Sequence, residues 1–250
     1  MSFNESQHPR ATAGVSTGGQ FVTKAAGESP VNLAGPDDLE FEDKAREATN
    51  AIIELLPGAG DCGDDAPAVV WPADDGDDSK EIVTGVNVLT GEKGQWSLER
   101  GQDRIASTPG LSMDAHPGAV AAWLRAARNA DPEDLTDFPT EVRNDGVTRA
   151  VAAELDGVDV WDEGGGTTIF FGSRANRDER GATGDVVYVV GDGQDSGRWQ
   201  FQVETTGEMT PNGYHHEVVT SDLTVEADPK VVAAWVREQA QKFGSPPYFE

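Results

Sequence analysis

The chain has 250 residues, and 45 acids against 19 bases give it a formal charge of -26. That length can build one large domain or two small ones around a buried core, while so anionic a chain repels phosphates and is excluded as an ordinary nucleic-acid binder. One cysteine excludes a disulfide framework and a thiolate zinc site, and no apolar run reaches the roughly 20 residues of a membrane span.

Residues 1–36 are rich in Gly, Ser, Thr, Ala and Pro, with almost no periodic apolar pattern. They bury too little to offset the entropy of ordering, so a disordered tail is expected. Residues 37–80 hold fourteen acids against Lys44, Arg46 and Lys80, a net of -11. Within them, Ala45, Ala48, Ile52, Ile53 and Leu56 recur at helical spacing, and Pro57-Gly58 stops the helix. Apolar runs at Ala68–Trp71, Ile82–Leu89 and Gln95–Leu98, each bounded by turn residues, read as strands. A helix opens at His116-Pro117, where the missing proline N–H is not needed. Asn129 to Gly146, with two prolines and six acids, reads as the linker or the surface crossing between modules. A short helix at Val147 to Leu155, strands at Thr168–Phe171, Val186–Val190, Trp199–Val203 and Val218–Val225, and a helix at Pro229 to Lys242 complete the chain.

The order of elements repeats, and so do residues. Residues 111–125 align ungapped with 223–237, with eight of fifteen identical. Residues 94–98 match 197–201, and 68–71 match 168–171. The offsets of 100, 103 and 112 grow along the chain, as loop insertions require. The expected fold is therefore α+β, a tandem duplication of an α-β-β-β-β-α unit, with antiparallel sheets and helices packed on one face of each. The modules are expected at 37–129 and 147–250, joined by the linker 130–146. Trp96 and Trp199 then share one strand position, and Trp123 and Trp235 one helix position, all four in the core. What the copies share reads as apolar. Trp161 has no counterpart and is expected exposed at a binding edge.

Motifs of known chemistry fit poorly. Residues 58–63 spell G-x-G-x-x-G, but after a helix and running into Asp64-Asp65, which repel phosphate. The acidic runs lack the order of a calcium loop. His215-His216 has no supporting ligand at metal spacing and reads as a hairpin tip, and the acids around Cys62 work against a reactive thiolate. His116 aligns with Asp228, and both precede a helix-opening proline as caps. No nucleophile elbow, zincin motif or P-loop occurs. No catalytic residue, cofactor or metal ligand is therefore assigned.

Gly18-Gly19-Gln20 resembles the tripeptide of peptide-release factors, whose RNA-lined site calls for a basic domain that this chain lacks. His8-Pro9-Arg10, a short Ala/Thr/Gly spacer, Gly18-Gly19-Gln20-Phe21 and Lys24 together resemble a terminal segment of uncharacterised phage- and plasmid-encoded proteins of high-GC Gram-positive bacteria. The resemblance covers residues 8–24 only. It implies a mobile-element provenance and carries no activity with it.

The functional expectation is a cytoplasmic, non-enzymatic acidic protein that binds a basic partner surface. Asp61, Asp64, Asp65, Asp74, Asp75, Asp77, Asp78 and Trp161 are its candidate contact residues. In a sharper form it stands in for DNA and blocks a nucleic-acid-binding host protein such as a restriction enzyme; a charge of -26 equals the phosphates of roughly 13 base pairs. Two alternatives are adaptation to high salt, suggested by six lysines and an excess of Asp over Glu, and a hydrolase or transferase without a recognised motif.

Overall fold

The computed structural model describes residues 36–61, 67–73, 76–87, 94–163, 166–171, 186–190, 197–206 and 214–242. Phe41–Glu250 form a compact unit; of Met1–Glu40, the described part is the helical backbone from Pro36. The chain folds as α1 (Pro36–Leu55), β1 (Gly60–Asp61), β2 (Ala68–Trp71), a 3-10 turn (Asp78–Lys80), β3 (Ile82–Asn87), β4 (Gln95–Arg100), β5 (Ile105–Ser107) and α2 (Pro117–Asn129). Two helices follow, α3 (Pro132–Asp137) and α4 (Pro139–Ala152). The remainder is β6 (Val158–Glu163), β7 (Gly166–Phe171), β8 (Val186–Val190), β9 (Arg198–Thr206), β10 (Tyr214–Thr224) and α5 (Pro229–Lys242).

The strands form two five-stranded antiparallel meanders, β1 to β5 and β6 to β10, each in sequence order. The fold is thus α+β, with five strands per sheet rather than the expected four. The strands missing from the sequence reading are the short β1 and β5 and the acid-bearing β6, none of which offers a run of apolar residues long enough to register. In the first sheet Val69, Thr84, Leu98 and Ser107 lie in one row across β2 to β5, and all four are buried. A one-residue slip of any strand would turn that row to solvent, so burial sets the register.

The segment 130–146 is not a linker. It contains α3 and the first half of α4, which begins at Pro139 rather than Val147. Its prolines, which argue for a linker by composition, stand at helical N1 positions instead, where proline is favoured. Leu135 of α3 and Val142 of α4 are buried in the first core.

Two cores result. The first joins Ile52 of α1 and Leu56 just after it to Val69, Trp71, Ile82, Trp96 and Leu98 of the sheet and to Val120, Trp123 and Leu124 of α2. The second joins Val147 and Val151 of α4 to Ile169, Trp199 and Phe201 of the sheet and to Val232 and Val236 of α5. Helix α2 serves both, because its Ala119 and Ala122 face the second core. That dual duty explains an unbroken buried run from Ala119 to Leu124. The α2–α4 approach depends on Gly146: a β-carbon there would lie 2.6 Å from the Ala122 carbonyl oxygen and 2.8 Å from the Ala126 β-carbon.

The aligned segments occupy equivalent places. Residues 68–71 and 168–171 lie in the second strand of their sheets, 95–98 and 198–201 in the fourth, and 117–125 and 229–237 in the closing helix. Val69 and Leu98 share a row one strand apart, as do Ile169 and Phe201. His116 Nδ1 accepts from the Gly118 N–H at 3.1 Å, and Asp228 Oδ1 accepts from the Lys230 N–H at 2.9 Å, so both act as N-caps.

The opening helices also match, at an offset of 99 that the sequence comparison missed. Thr49 and Thr148 are buried, as are Ile52 and Val151 and Leu56 and Leu155, and both Gly58 (φ +82°) and Gly157 (φ +68°) turn the chain in the left-handed region. Arg125 Nη2 donates to the Leu55 carbonyl at 2.6 Å, and Arg237 Nη2 donates to the Glu154 carbonyl, the residue 99 positions later. The two halves therefore share polar contacts as well as apolar positions.

Candidate functional site

Charge is sorted by depth in this protein. Every acid whose burial is described lies outside the core, at intermediate or full exposure. Three arginines behave in the opposite way: Arg100, Arg128 and Arg143 are only 5–7% exposed, while Arg46, Arg104, Arg149 and Arg198 stay outside beside acids. Arg100 Nη1 donates to the carbonyls of Ala127 (2.7 Å) and Ala130 (2.6 Å) at the C-terminal end of α2. Burial pulls its pKa below the ordinary guanidinium value, and the Asp131 charge opposes that pull. Arg128 Nη2 donates to the Pro72 carbonyl at 2.8 Å, with its guanidinium 4.2 Å above the Trp71 ring. Arg143 Nη1 donates to the Pro109 carbonyl at 2.8 Å.

With Arg125 and Arg237, five arginines donate to main-chain carbonyls, three of them at helix C-termini where the helix dipole leaves partial negative charge. Cations used in this way do little to neutralise the acidic exterior. Helix α1 states the pattern in one element: Ala45, Thr49 and Ile52 are buried, and Asp43, Glu47 and Glu54 lie exposed on the opposite side.

The sequence-expected contact residues divide. Asp64, Asp65, Asp74 and Asp75 lie outside the described residues. Asp61 ends β1, exposed and 3.9 Å from Arg46. Asp77 caps the 3-10 turn, its carboxylate accepting from the Ser79 hydroxyl at 2.6 Å and the Ser79 N–H at 3.1 Å. Those two hydrogen bonds, the side-chain one foremost, hold its carboxyl below the ordinary range. Asp78 accepts from Gln102 Nε2 at 2.9 Å. Part of the acidic block thus organises its own turn.

Trp161 is on the edge strand β6, yet it is not exposed. Only 7% of it meets solvent; the ring packs on Phe170 at 4.4 Å, and Nε1 donates to Asp159 at 3.1 Å. An indole flanked by acids reads as surface in sequence, but the strand turns it onto its neighbour. His215 and His216 likewise are not a hairpin tip: they stand within β10, paired with Thr205 and Glu204.

One groove stands out, with a volume of about 920 Å³, between α2, α4 and the β6–β7 hairpin. Ala122, Ala126, Ala150 and Ala153 form its apolar floor, and Phe138, 51% exposed, stands at its edge. Asp134, Glu141, Asp145 and Asp162 supply the acids of its lining, against Arg125 and Arg149. Arg149 Nε donates to Asp145 at 2.7 Å and Nη2 to Asp162 at 2.8 Å, while Thr167 Oγ1 donates to Asp145 at 3.0 Å. Burial lowers the Arg149 pKa, but the two carboxylates outweigh it and leave the guanidinium above its ordinary value. Among the described residues no three His, Cys, Asp or Glu side chains converge as metal ligands, and no helix is long and apolar enough to cross a membrane. The sequence reading missed this groove because its walls come from α2, α3, α4 and a hairpin, two of them inside the segment read as linker. No protein-family model matches the chain, and no curated protein matches it.

Proposed function

We propose that this chain is a non-enzymatic interaction protein whose acidic exterior binds a basic surface on a partner protein. The observation that carries the reading is the sorting of charge: the acids lie outside, while Arg100, Arg128 and Arg143 are turned inward onto carbonyls. Such an exterior steers a cationic partner from a distance and repels nucleic acid. In its sharper form, consistent with the mobile-element resemblance of residues 8–24, the acids take the place of duplex phosphates on a DNA-binding protein of the host. The exposed acidic side of α1 is the described surface that favours this form.

Capture on the immobilised chain from a bacterial lysate at low salt, followed by a salt ramp, tests the reading. A discrete basic protein released as salt rises is the expected result; a retained set indifferent to salt, or none, overturns it. Competition by duplex DNA for the captured protein tests the sharper form, which fails if DNA does not displace the chain.

We also propose that the two halves arose by duplication of an α-β-β-β-β-β-α unit. Three observations support this: the growing offsets, the shared sheet row and the paired Arg125–Leu55 and Arg237–Glu154 hydrogen bonds. Equivalent caps carry equivalent energy, so Arg125→Ala and Arg237→Ala should each cost about 1 kcal/mol in urea unfolding. A cost confined to one of them would argue against equivalence.

A further inference from the structure

The groove between α2 and α4 has the dimensions and chemistry of a helix receptor. From Glu141 to Ala153, the residue that caps α4, this wall runs thirteen residues, about 18 Å at 1.5 Å of rise per step, a little over three helical turns. The floor is alanine, which leaves room for a partner's larger side chains, and Phe138 offers an exposed ring at one end. The polar groups flank the floor, and those of Arg149 are already held by Asp145 and Asp162. Arg125 is turned to the Leu55 carbonyl. Asp134 and Glu141 make no ion pair with the described residues, so the groove keeps unmatched negative charge beside an apolar surface.

We propose that this groove binds a cationic amphipathic helix of a partner protein, apolar side chains on the alanine floor and Lys or Arg toward Asp134 and Glu141. This rests on the reading of the chain as a binder of basic surfaces and gives that reading a location. An apolar face laid into a groove, with anchors at i, i+3, i+4 and i+7, is an established mode of helix recognition. The charge complementarity selects a basic helix over an acidic one. A small ligand would need polar groups converging inside the cavity, whereas here Arg149, Asp145 and Asp162 are spent on one another.

The test uses the full chain and two fluorescent peptides of one lysine- and leucine-rich composition, one with its leucines at helical spacing and the other scrambled. Fluorescence anisotropy at low salt should give binding of the amphipathic peptide at least about tenfold tighter than the scrambled one. Phe138→Ala and Ala153→Trp, both at solvent-accessible positions and checked for native circular dichroism, should each weaken it about tenfold. Asp43→Lys with Glu47→Lys, on the exposed side of α1 and outside the groove's lining, should weaken it no more than about threefold, by loss of long-range attraction. Peptide affinity unchanged by both groove variants, or equal for both peptides, overturns the groove while leaving salt-sensitive binding to the acidic exterior intact. Failure of both peptides to bind at low salt overturns both readings. A free chain that sediments as a dimer and becomes monomeric with Ala153→Trp assigns the groove to a second copy and overturns the proposal.

Discussion

Thr49 and Thr148 sit at matching places in the opening helices of the two halves, and both hydroxyls are buried without a hydrogen-bond partner among the described residues. A buried polar atom left unpaired carries its desolvation cost with no return, and valine has the same shape without it. Thr49→Val and Thr148→Val should therefore each stabilise the protein by about 0.5–1 kcal/mol, read as a rise in the urea midpoint at constant slope. Asp77 presents the opposite case, a carboxylate satisfied by Ser79 and depressed in pKa. A carboxyl depressed on folding contributes stability at pH above its unfolded value, near 3.9, and loses it as pH falls through the folded value. In an NMR titration of the Asp77 carboxyl, Ser79→Ala should raise the midpoint toward the ordinary range. A midpoint that stays put would mean that Ser79 is not the cause.

At the scale of elements, the α2–α4 contact decides how the halves meet. A β-carbon at Gly146 would meet the Ala122 backbone at 2.6 Å, which no side-chain rotation relieves. Gly146→Ala should thus cost about 2–3 kcal/mol, as overpacking does, and should also distort the groove the two helices wall. Gly166, with open space around its missing β-carbon, is the control: Gly166→Ala should fall within about 0.5 kcal/mol of the parent in the same melts. The two helices with matching residues make the same point. Ala119 and Ala122 of α2 are buried against the second half, whereas Val231, their counterpart's first residue, is 50% exposed on α5. One residue pattern is read differently because, among the described residues, only α2 has a neighbour on that side. Helix and strand positions were legible where apolar periodicity was strong: Ala68–Trp71, Val186–Val190 and Pro229–Lys242 agree with the sequence reading to the residue. The short strands β1 and β5 and the helix α3 were not legible, since their apolar residues are too few to mark a period.

For the whole molecule, the charge of -26 acts as self-repulsion that salt relieves. Melting temperature should rise between low and physiological ionic strength and then level off, because screening of exposed charges is largely complete once the Debye length is about 8 Å. A continued rise into molar KCl would favour adaptation to high salt over recognition. The level-off is the outcome expected if the acids serve a partner, since a protein made for molar salt would draw stability from ions well beyond that point.

Length, charge and periodicity by themselves determined that the chain is acidic, that its elements mix helix with antiparallel strand, and that one pattern of residues occurs twice. These are local properties, set by composition and by which residues recur at spacings of two or of three to four. Tertiary structure alone decided where the charge goes. Arg100, Arg128 and Arg143 could have met acids on the surface, yet the fold turns them onto carbonyls. It also makes helices of the acid- and proline-rich stretch after α2, buries Trp161, and folds the consecutive elements from α2 to β7 around one groove. The reason is physical: burial and partnership depend on what approaches from other elements, and a net charge counts cations without recording which of them face the solvent.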